Sequence, residues 1–190
     1  DVEVTWHPFQ LNPDMPAEGI DRKGYLKAKF GRETYPEDML AALRAAGRSV
    51  DLDFKFETMS RVPNTVDSHR VIRWAQEAGL QDEIVETLFT RYFVDNQDIG
   101  DHTVLADAAA TVGMDRNTVK KRLTGPDDHQ VVRNEDAHVR QLGIHAVQTF
   151  IFEDKLSVQG AHEPDVFLQV FDRLEAESES ESGPEAVTDA

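Results

Sequence analysis

Alternation of apolar and polar residues marks the two ends of this 190-residue chain, and helical periodicity fills more than a hundred residues between them. Val2, Val4 and Trp6 alternate with Glu3, Thr5 and His7, the period-two pattern of a strand. Residues 146–153, rich in Val, Thr, Phe and Ile, are followed by a tight turn at Asp154 and Lys155 and by residues 156–160, which predicts a hairpin. Three strands placed in this way make an awkward sheet, because the first must reach the hairpin through a long crossover.

Pro8, Pro13 and Pro16 fix an extended loop after the first strand. The spacing then predicts a short helix over residues 21–30, closed by Gly31, and a second between Pro36 and Gly47. Leu52, Phe54 and Phe56 alternate with charged neighbours and suggest a short strand. Asn64 caps a helix that runs to Ala78 and stops at Gly79, and Ile84, Val85, Leu88, Phe89, Tyr92 and Phe93 form the apolar stripe of the next. Asp101 and Asp115 stand as N-caps on either side of Gly113. A further helix spans residues 128–142 up to Gly143, and Pro164 opens a last one whose Val166, Phe167, Val170, Phe171 and Leu174 share a face.

Composition removes several classes. No apolar run approaches the roughly 20 residues of a membrane-spanning helix, and the absence of cysteine excludes disulfides, thiolate zinc sites and a cysteine nucleophile from this stretch. With 36 acidic and 20 basic side chains the formal charge is −16, unsuited to displacing counterions from nucleic acid. Glu175, Glu177, Glu179, Glu181, Glu185 and Asp189 belong to a terminal stretch without a base, which is expected to be a disordered acidic tail. Asp1 in place of Met leads us to expect a fragment or a processed product.

Local motifs compete for a functional reading. Residues 105–123 read as a helix-turn-helix that carries Arg116, Lys120, Lys121 and Arg122 on its second helix, although Arg122 stands where that motif has an apolar residue. No pair of the seven histidines has the His-x-x-x-His spacing of a helical zinc site. Glu135 and His138 have the spacing of a carboxylate-bridged metal site but lack a second copy. Asp95-Asn-Gln-Asp-Ile-Gly-Asp101 suggests a calcium loop, but its glycine and distal acid fall at the wrong offsets, and an N-cap at Asp101 explains it more simply. Glycine-rich nucleotide loops and nucleophile elbows are absent from the sequence.

Several spaced blocks, taken in order, carry more information than any of these. Phe9-Gln-Leu-Asn-Pro-Asp-Met-Pro-Ala-Glu-Gly, Pro63-Asn-Thr-Val-Asp-Ser-His-Arg70, Asp98-Ile-Gly-Asp101, and Phe150-Ile-Phe followed by Val158-Gln-Gly-Ala161 resemble the DsbA-like thioredoxin family. Within it the chain is most similar to FrnE-type oxidoreductases, related to 2-hydroxychromene-2-carboxylate isomerases. The resemblance implies an α/β fold: a thioredoxin-like core from residues 1–20 and 143–176, an all-helical insertion over 21–142, and a disordered acidic tail over 177–190. The family's first core strand and helix, with the Cys-x-x-Cys, would precede Asp1, so no catalytic residue is assigned within the chain.

The same resemblance implies a thiol-disulfide oxidoreductase acting on protein or small-molecule thiols. Alternatives are a glutathione-dependent isomerase-like protein, a non-catalytic thioredoxin-fold binding module and a helix-turn-helix DNA binder. Where the family reads Gly-Val/Ile-x-Gly-Val-Pro-Thr-Phe with a cis-proline, this chain reads Gly143-Ile-His-Ala-Val-Gln-Thr-Phe150. Val147, Gln148 and Thr149 are therefore the candidate substrate-binding residues. Their Val147–Gln148 bond is expected to be trans, since a cis bond before a residue other than proline costs about 2.5–4 kcal/mol. No metal is expected, and glutathione is the one cofactor contemplated. The remaining expectations are a cytoplasmic location, no nucleic-acid or membrane partner, and a homodimer or an upstream segment completing the sheet.

Overall fold

Asp21 ends the proline-rich loop by accepting a hydrogen bond from the Gly24 amide at 2.7 Å. The helix it caps stops where Gly31 turns to φ 71° and donates its N–H to the Lys27 carbonyl. Both signals are local in sequence, which is why this helix reads correctly from its residues alone. The structure is a computed structural model and describes residues 2–181. It divides into two units, Asp1–Leu142 and Gly143–Ala190.

In the first unit β1 (Ile20–Asp21) leads into α1 (Arg22–Phe30) and α2 (Glu37–Arg48). They are followed by β2 (Arg61–Val62), α3 (Val66–Glu77), α4 (Gln81–Phe93), α5 (His102–Thr111), α6 (Arg116–Leu123) and α7 (His129–Gln141). Asp101 accepts from the amides of Thr103 and Val104, and Asp115 from that of Thr118, so the expected N-caps start α5 and α6. The apolar stripes of four helices meet in one buried cluster, to which α3 gives Val71 and Trp74, α4 Ile84 and Leu88, α5 Leu105, and α6 Val119 and Leu123. Ala106, Ala108 and Ala109 are fully buried on α5, and their small side chains let neighbouring helices approach closely. Each large aliphatic side chain in this cluster contributes about 1.5–3 kcal/mol by leaving water.

Three expectations fail in this unit. Residues 2–7 form no strand, and Val2, Val4 and Trp6 are exposed. Alternation describes an extended chain, but a strand exists only beside another, and no described strand pairs with this one. A side-chain amide stands in for the partner at one point: the Trp6 N–H donates to Gln81 Oε1 at 2.9 Å, and the Trp6 carbonyl accepts from Gln81 Nε2 at 3.0 Å. Leu52, Phe54 and Phe56 also form no strand. Phe54 and Phe56 lie 5.2 Å apart and both meet Phe93, so ring packing accounts for that alternation. Gly47, read as the stop of α2, lies inside its last turn, where a Cβ would stand 2.7 Å from the Leu52 carbonyl oxygen. Close approach of the following chain, and not helix termination, requires glycine there.

One pairing escapes the sequence. β1 and β2 are antiparallel with Ile20 opposite Val62, too short for any periodicity to register. Gly19 enters it at φ 67°, with a Cβ position only 2.6 Å from the Val62 carbonyl oxygen.

The second unit contains the hairpin β3 (Thr149–Phe152) and β4 (Leu156–Gln159), with Phe150 opposite Val158, and the helix α8 (Pro164–Glu181). Glu153 and Asp154 take φ 49° and 55°, and the Lys155 N–H donates to the Phe152 carbonyl at 2.9 Å. The turn therefore sits one residue earlier than expected, in the left-handed conformation that matches strand twist. Phe150 and Phe152 point at α8, where Phe167 lies 4.9 Å and 6.3 Å away and Phe171 5.6 Å from Phe152. The predicted face of this helix is thus the one turned to the hairpin, with Val166, Phe167, Val170 and Phe171 half-buried and Leu174 buried. α8 continues to Glu181, past the expected start of disorder at residue 177, and Arg173 pairs with Glu177 at 2.9 Å on the way. Glutamate and alanine extend a helix already anchored by packing. Residues 182–190 of the expected tail lie outside the described residues.

Candidate functional site

The loop carrying the candidate binding residues begins at Gly143, at φ 84°, and ends in β3. Thr149 Oγ1 donates to the Ala146 carbonyl at 2.8 Å, and the Gly160 N–H donates to the Gln148 carbonyl at 2.8 Å. Gly160 itself is at φ 92°, and two residues on, His162 donates from Nε2 to the Gln159 carbonyl at 2.8 Å. The backbone of the loop is thus tied to its own turn and to the end of β4. The Val147–Gln148 bond is cis, contrary to expectation. That expectation weighs only the intrinsic amide preference, whereas hydrogen bonds fix the chain immediately before and after the bond.

Val147 is 52% exposed, Gln148 is exposed and Thr149 is half-buried. The three are contiguous and present an apolar group, an amide and a hydroxyl, with a carbonyl already engaged behind them. The loop has neither a nucleophile nor a charged group at its centre. Its chemistry is that of a contact surface, able to offer donors and acceptors to a bound chain or small molecule.

The block Asn64–Arg70 does structural work in the first unit. Asn64 donates to the Met15 carbonyl at 2.7 Å and accepts from the Val66 amide at 3.0 Å, while Ser68 donates to the Ile99 carbonyl at 2.7 Å. Arg70 is 1% exposed and donates to the carbonyls of Arg122, Leu123, Gly125 and Asp127. Asp67 balances its charge at 2.7 Å and also meets His102 at 2.8 Å.

The helix-turn-helix residues are drawn into the same fabric. The Arg122 guanidinium lies over the Trp74 ring at 4.1 Å and pairs with Asp128 at 3.3 Å, which explains an arginine at an apolar position. Arg116 bonds Asp107, and this bond holds the Asp107 carboxyl below its ordinary range. Of the metal candidates, Glu135 bonds Arg73 at 2.6 Å. Asp98 meets Arg61 at 3.3 Å and the Gly100 amide at 2.9 Å, and Asp101 caps α5. No acid and histidine group able to hold a metal occurs among the described residues.

Sequence reasoning misses a second feature of the first unit. Asp136 on α7 is buried, accepts from the Gln10 N–H at 2.6 Å and pairs with Arg140 at 3.0 Å. Arg140 also donates to the Gln10 carbonyl and lies over the Phe9 ring at 4.3 Å. Burial holds the His69 imidazole down to about 4, against an opposing hydrogen bond with the Phe9 backbone and the charge of Asp136. Beyond this clamp, Leu11, Asn12, Pro13 and Met15 with Ile20 and Tyr25 line an open cleft of about 410 Å³. The one signal in the sequence is the Asp136/Arg140 spacing of four on a helix, which by itself reads as a surface pair.

Among the described residues no helix is long and apolar enough to cross a membrane. A family model, the DSBA-like thioredoxin domain, matches residues 1–172. The uncharacterized protein YwbO of Bacillus subtilis (strain 168) is 28% identical over 168 residues, which cover 88% of this chain and 80% of that protein. The crystal structure of the probable DsbA oxidoreductase SCO1869 of Streptomyces coelicolor superposes with a TM-score of 0.76 at 24% identity, over 96% of this chain and 77% of that one. Likeness at that identity establishes the fold, the thioredoxin-like α/β architecture with a large helical part.

Proposed function

This chain belongs to the DSBA-like thioredoxin domain family, and on that premise we propose that it acts as a thiol-disulfide oxidoreductase on protein or small-molecule thiols. Val147, Gln148 and Thr149 form its substrate contact. The observation that carries this reading is the loop itself: its backbone is tied by Thr149 and Gly160, while the side chains of Val147 and Gln148 stand free in solvent. A pre-ordered backbone with free side chains gives up little entropy on binding.

The 190 residues hold no cysteine, so we place the reactive Cys-x-x-Cys upstream of Asp1. There a thiolate attacks one sulfur of a substrate disulfide, and a mixed disulfide forms as the substrate bond breaks and releases a thiolate. The second cysteine gives up its proton and displaces the first substrate sulfur, leaving the pair oxidised and the substrate reduced. A serine upstream in place of the cysteines supports the glutathione-dependent branch, in which glutathione brings the thiol. The FrnE-type resemblance supports a cytoplasmic place of action, without nucleic-acid or membrane partners.

Reduction of insulin by the protein encoded by the whole reading frame tests the proposal. We expect turnover with dithiothreitol or glutathione as reductant. Gln148→Ala and Val147→Ala should each lower kcat/KM by about tenfold, the loss of one contact near the reacting centre, without moving Tm. Absence of turnover with both reductants would overturn the assignment, and full activity in both variants would remove the loop from it.

A further inference from the structure

Two of the bonds at the end of β4 run through a single peptide unit. The Gln159 carbonyl and the Gly160 N–H flank the same C–N bond, and in a trans peptide they point in opposite directions. The N–H faces β3 and donates to the Gln148 carbonyl at 2.8 Å. The Gln159 carbonyl therefore faces away from β3, on the outer edge of β4, where a backbone group is ordinarily left to water or to another strand. His162 takes it instead, with Nε2 at 2.8 Å. A carbonyl can only accept, so Nε2 carries the proton.

The fold brings this imidazole to that spot by turning the chain back on itself. Gly160 leaves the strand at φ 92°, and a Cβ there would stand 3.8 Å from His162 Nε2. Beyond the linker of residues 160–163, α8 is fastened to the hairpin by Phe167, whose ring lies 4.9 Å from that of Phe150, the neighbour of Thr149. Loop, strand end and linker thus meet at the Gln159–Gly160 peptide. Gln148 is bonded on its inner side and His162 on its outer side.

We propose that His162 is a positioning residue for the substrate loop, acting through the Gln159–Gly160 peptide on the backbone of Gln148. This rests on the reading of Val147, Gln148 and Thr149 as the substrate contact. Two physical effects pass through the peptide. With its carbonyl held, the planar unit cannot tip, so its N–H stays aimed at Gln148 and the Val147 and Gln148 side chains keep one orientation. A hydrogen bond accepted by the carbonyl also polarises the amide and makes its N–H the stronger donor, a strengthening of about 10–30% per bond in such chains. The imidazole enters no chemical step itself.

Glutamine sets its amide nitrogen as many bonds from Cβ as histidine sets Nε2, so His162→Gln keeps the donor and His162→Ala removes it. Hydrogen exchange on the chain, read by nuclear magnetic resonance, tests the clasp without reference to activity. The Gly160 amide should lose about fivefold in protection in His162→Ala, what one ordinary hydrogen bond is worth, and keep it in His162→Gln. The Val158 amide, further along β4, should be unaltered in both. In insulin reduction by the protein encoded by the whole reading frame, His162→Ala should raise KM by about fivefold with kcat and Tm unchanged, and His162→Gln should restore KM. The proposal is overturned by unchanged protection of Gly160 in His162→Ala, by a glutamine variant that behaves like the alanine one, or by a loosened Gly160 with an unaltered KM. If the unaltered protein does not turn over insulin, the redox assignment alone falls, and exchange at Gly160 still decides whether His162 holds Gln148.

Discussion

Arg70 donates from Nη2 to the carbonyl of Gly125 at 2.8 Å, two residues beyond the end of α6. The same guanidinium reaches the carbonyls of Arg122, Leu123 and Asp127, so one side chain of α3 satisfies the frayed end of α6 and the turn towards α7. Its burial is tolerable because Asp67 and these carbonyls together replace its hydration. Arg70→Ala should cost about 3–5 kcal/mol in urea denaturation, the range for removing one partner of a buried pair. Arg70→Lys should recover little of it, since one ammonium cannot span carbonyls that a planar fork reaches. Near-normal stability in the lysine variant would show that charge alone, and not the fork, is what the site requires.

Gly47→Ala sets helix propensity against space. Alanine favours a helix interior by about 1 kcal/mol over glycine, but its Cβ would stand 2.7 Å from the Leu52 carbonyl oxygen and 2.9 Å from the Phe54 ring. Backbone cannot retreat as a flexible side chain does, so the clash should win and destabilise by about 1–2 kcal/mol. At Gly31 and Gly79 a Cβ meets nothing within 4 Å, and only the positive φ opposes substitution. Thermal unfolding of Gly47→Ala beside Gly79→Ala separates the two causes: the former should also loosen the Phe54–Phe93 contact, visible in near-ultraviolet circular dichroism.

Alkaline pH should find Tyr92. Burial pushes its hydroxyl above the ordinary value of 10, with Arg22 opposing and the charges of Tyr35 and Asp98 adding to the rise. A folded value above the unfolded one means that the stabilisation is whole below pH 10 and is lost as pH rises beyond it. Part of the phenolate absorbance should therefore lag in a titration and appear together with unfolding. Tyr92→Phe should remove that part and flatten the fall in stability above pH 10. A variant that loses stability with pH as steeply as the original protein would contradict the assignment.

What the residues reveal before folding depends on how far their partners lie along the chain. Asp21, Asp101 and Asp115 reach amides two or three residues away, so the helix starts are legible. Arg70 is not, because its acceptors lie 52 to 57 residues on and are carbonyls that every residue carries. Val2 to His7 mislead for the same reason: alternation records which faces a chain could bury, and pairing depends on a neighbour that the segment itself does not encode. The place of Val147, Gln148 and Thr149 follows from a spaced family pattern, whereas the Phe9–Gln10 clamp requires α7 to be docked on α3 before Asp136 and Arg140 can be seen to face the loop.

The basic residues of α6 offer a last separation of readings. Arg116 is bound to Asp107, and Arg122 to Trp74 and Asp128, which leaves Lys120 and Lys121 exposed on a chain of charge −16. Two lysines neutralise too few phosphates for tight binding, and the surrounding acids repel the duplex. Gel shifts with duplex DNA at low salt should therefore find no complex, and Lys120→Ala with Lys121→Ala should alter stability by less than about 0.5 kcal/mol, as surface changes do. Arg122→Ala should behave otherwise, because it bares the Trp74 face and takes from Asp128 one of its two cationic partners, leaving Arg73 at 3.8 Å, at a cost of about 2 kcal/mol. A salt-sensitive shift abolished by the lysine substitutions would restore the helix-turn-helix reading.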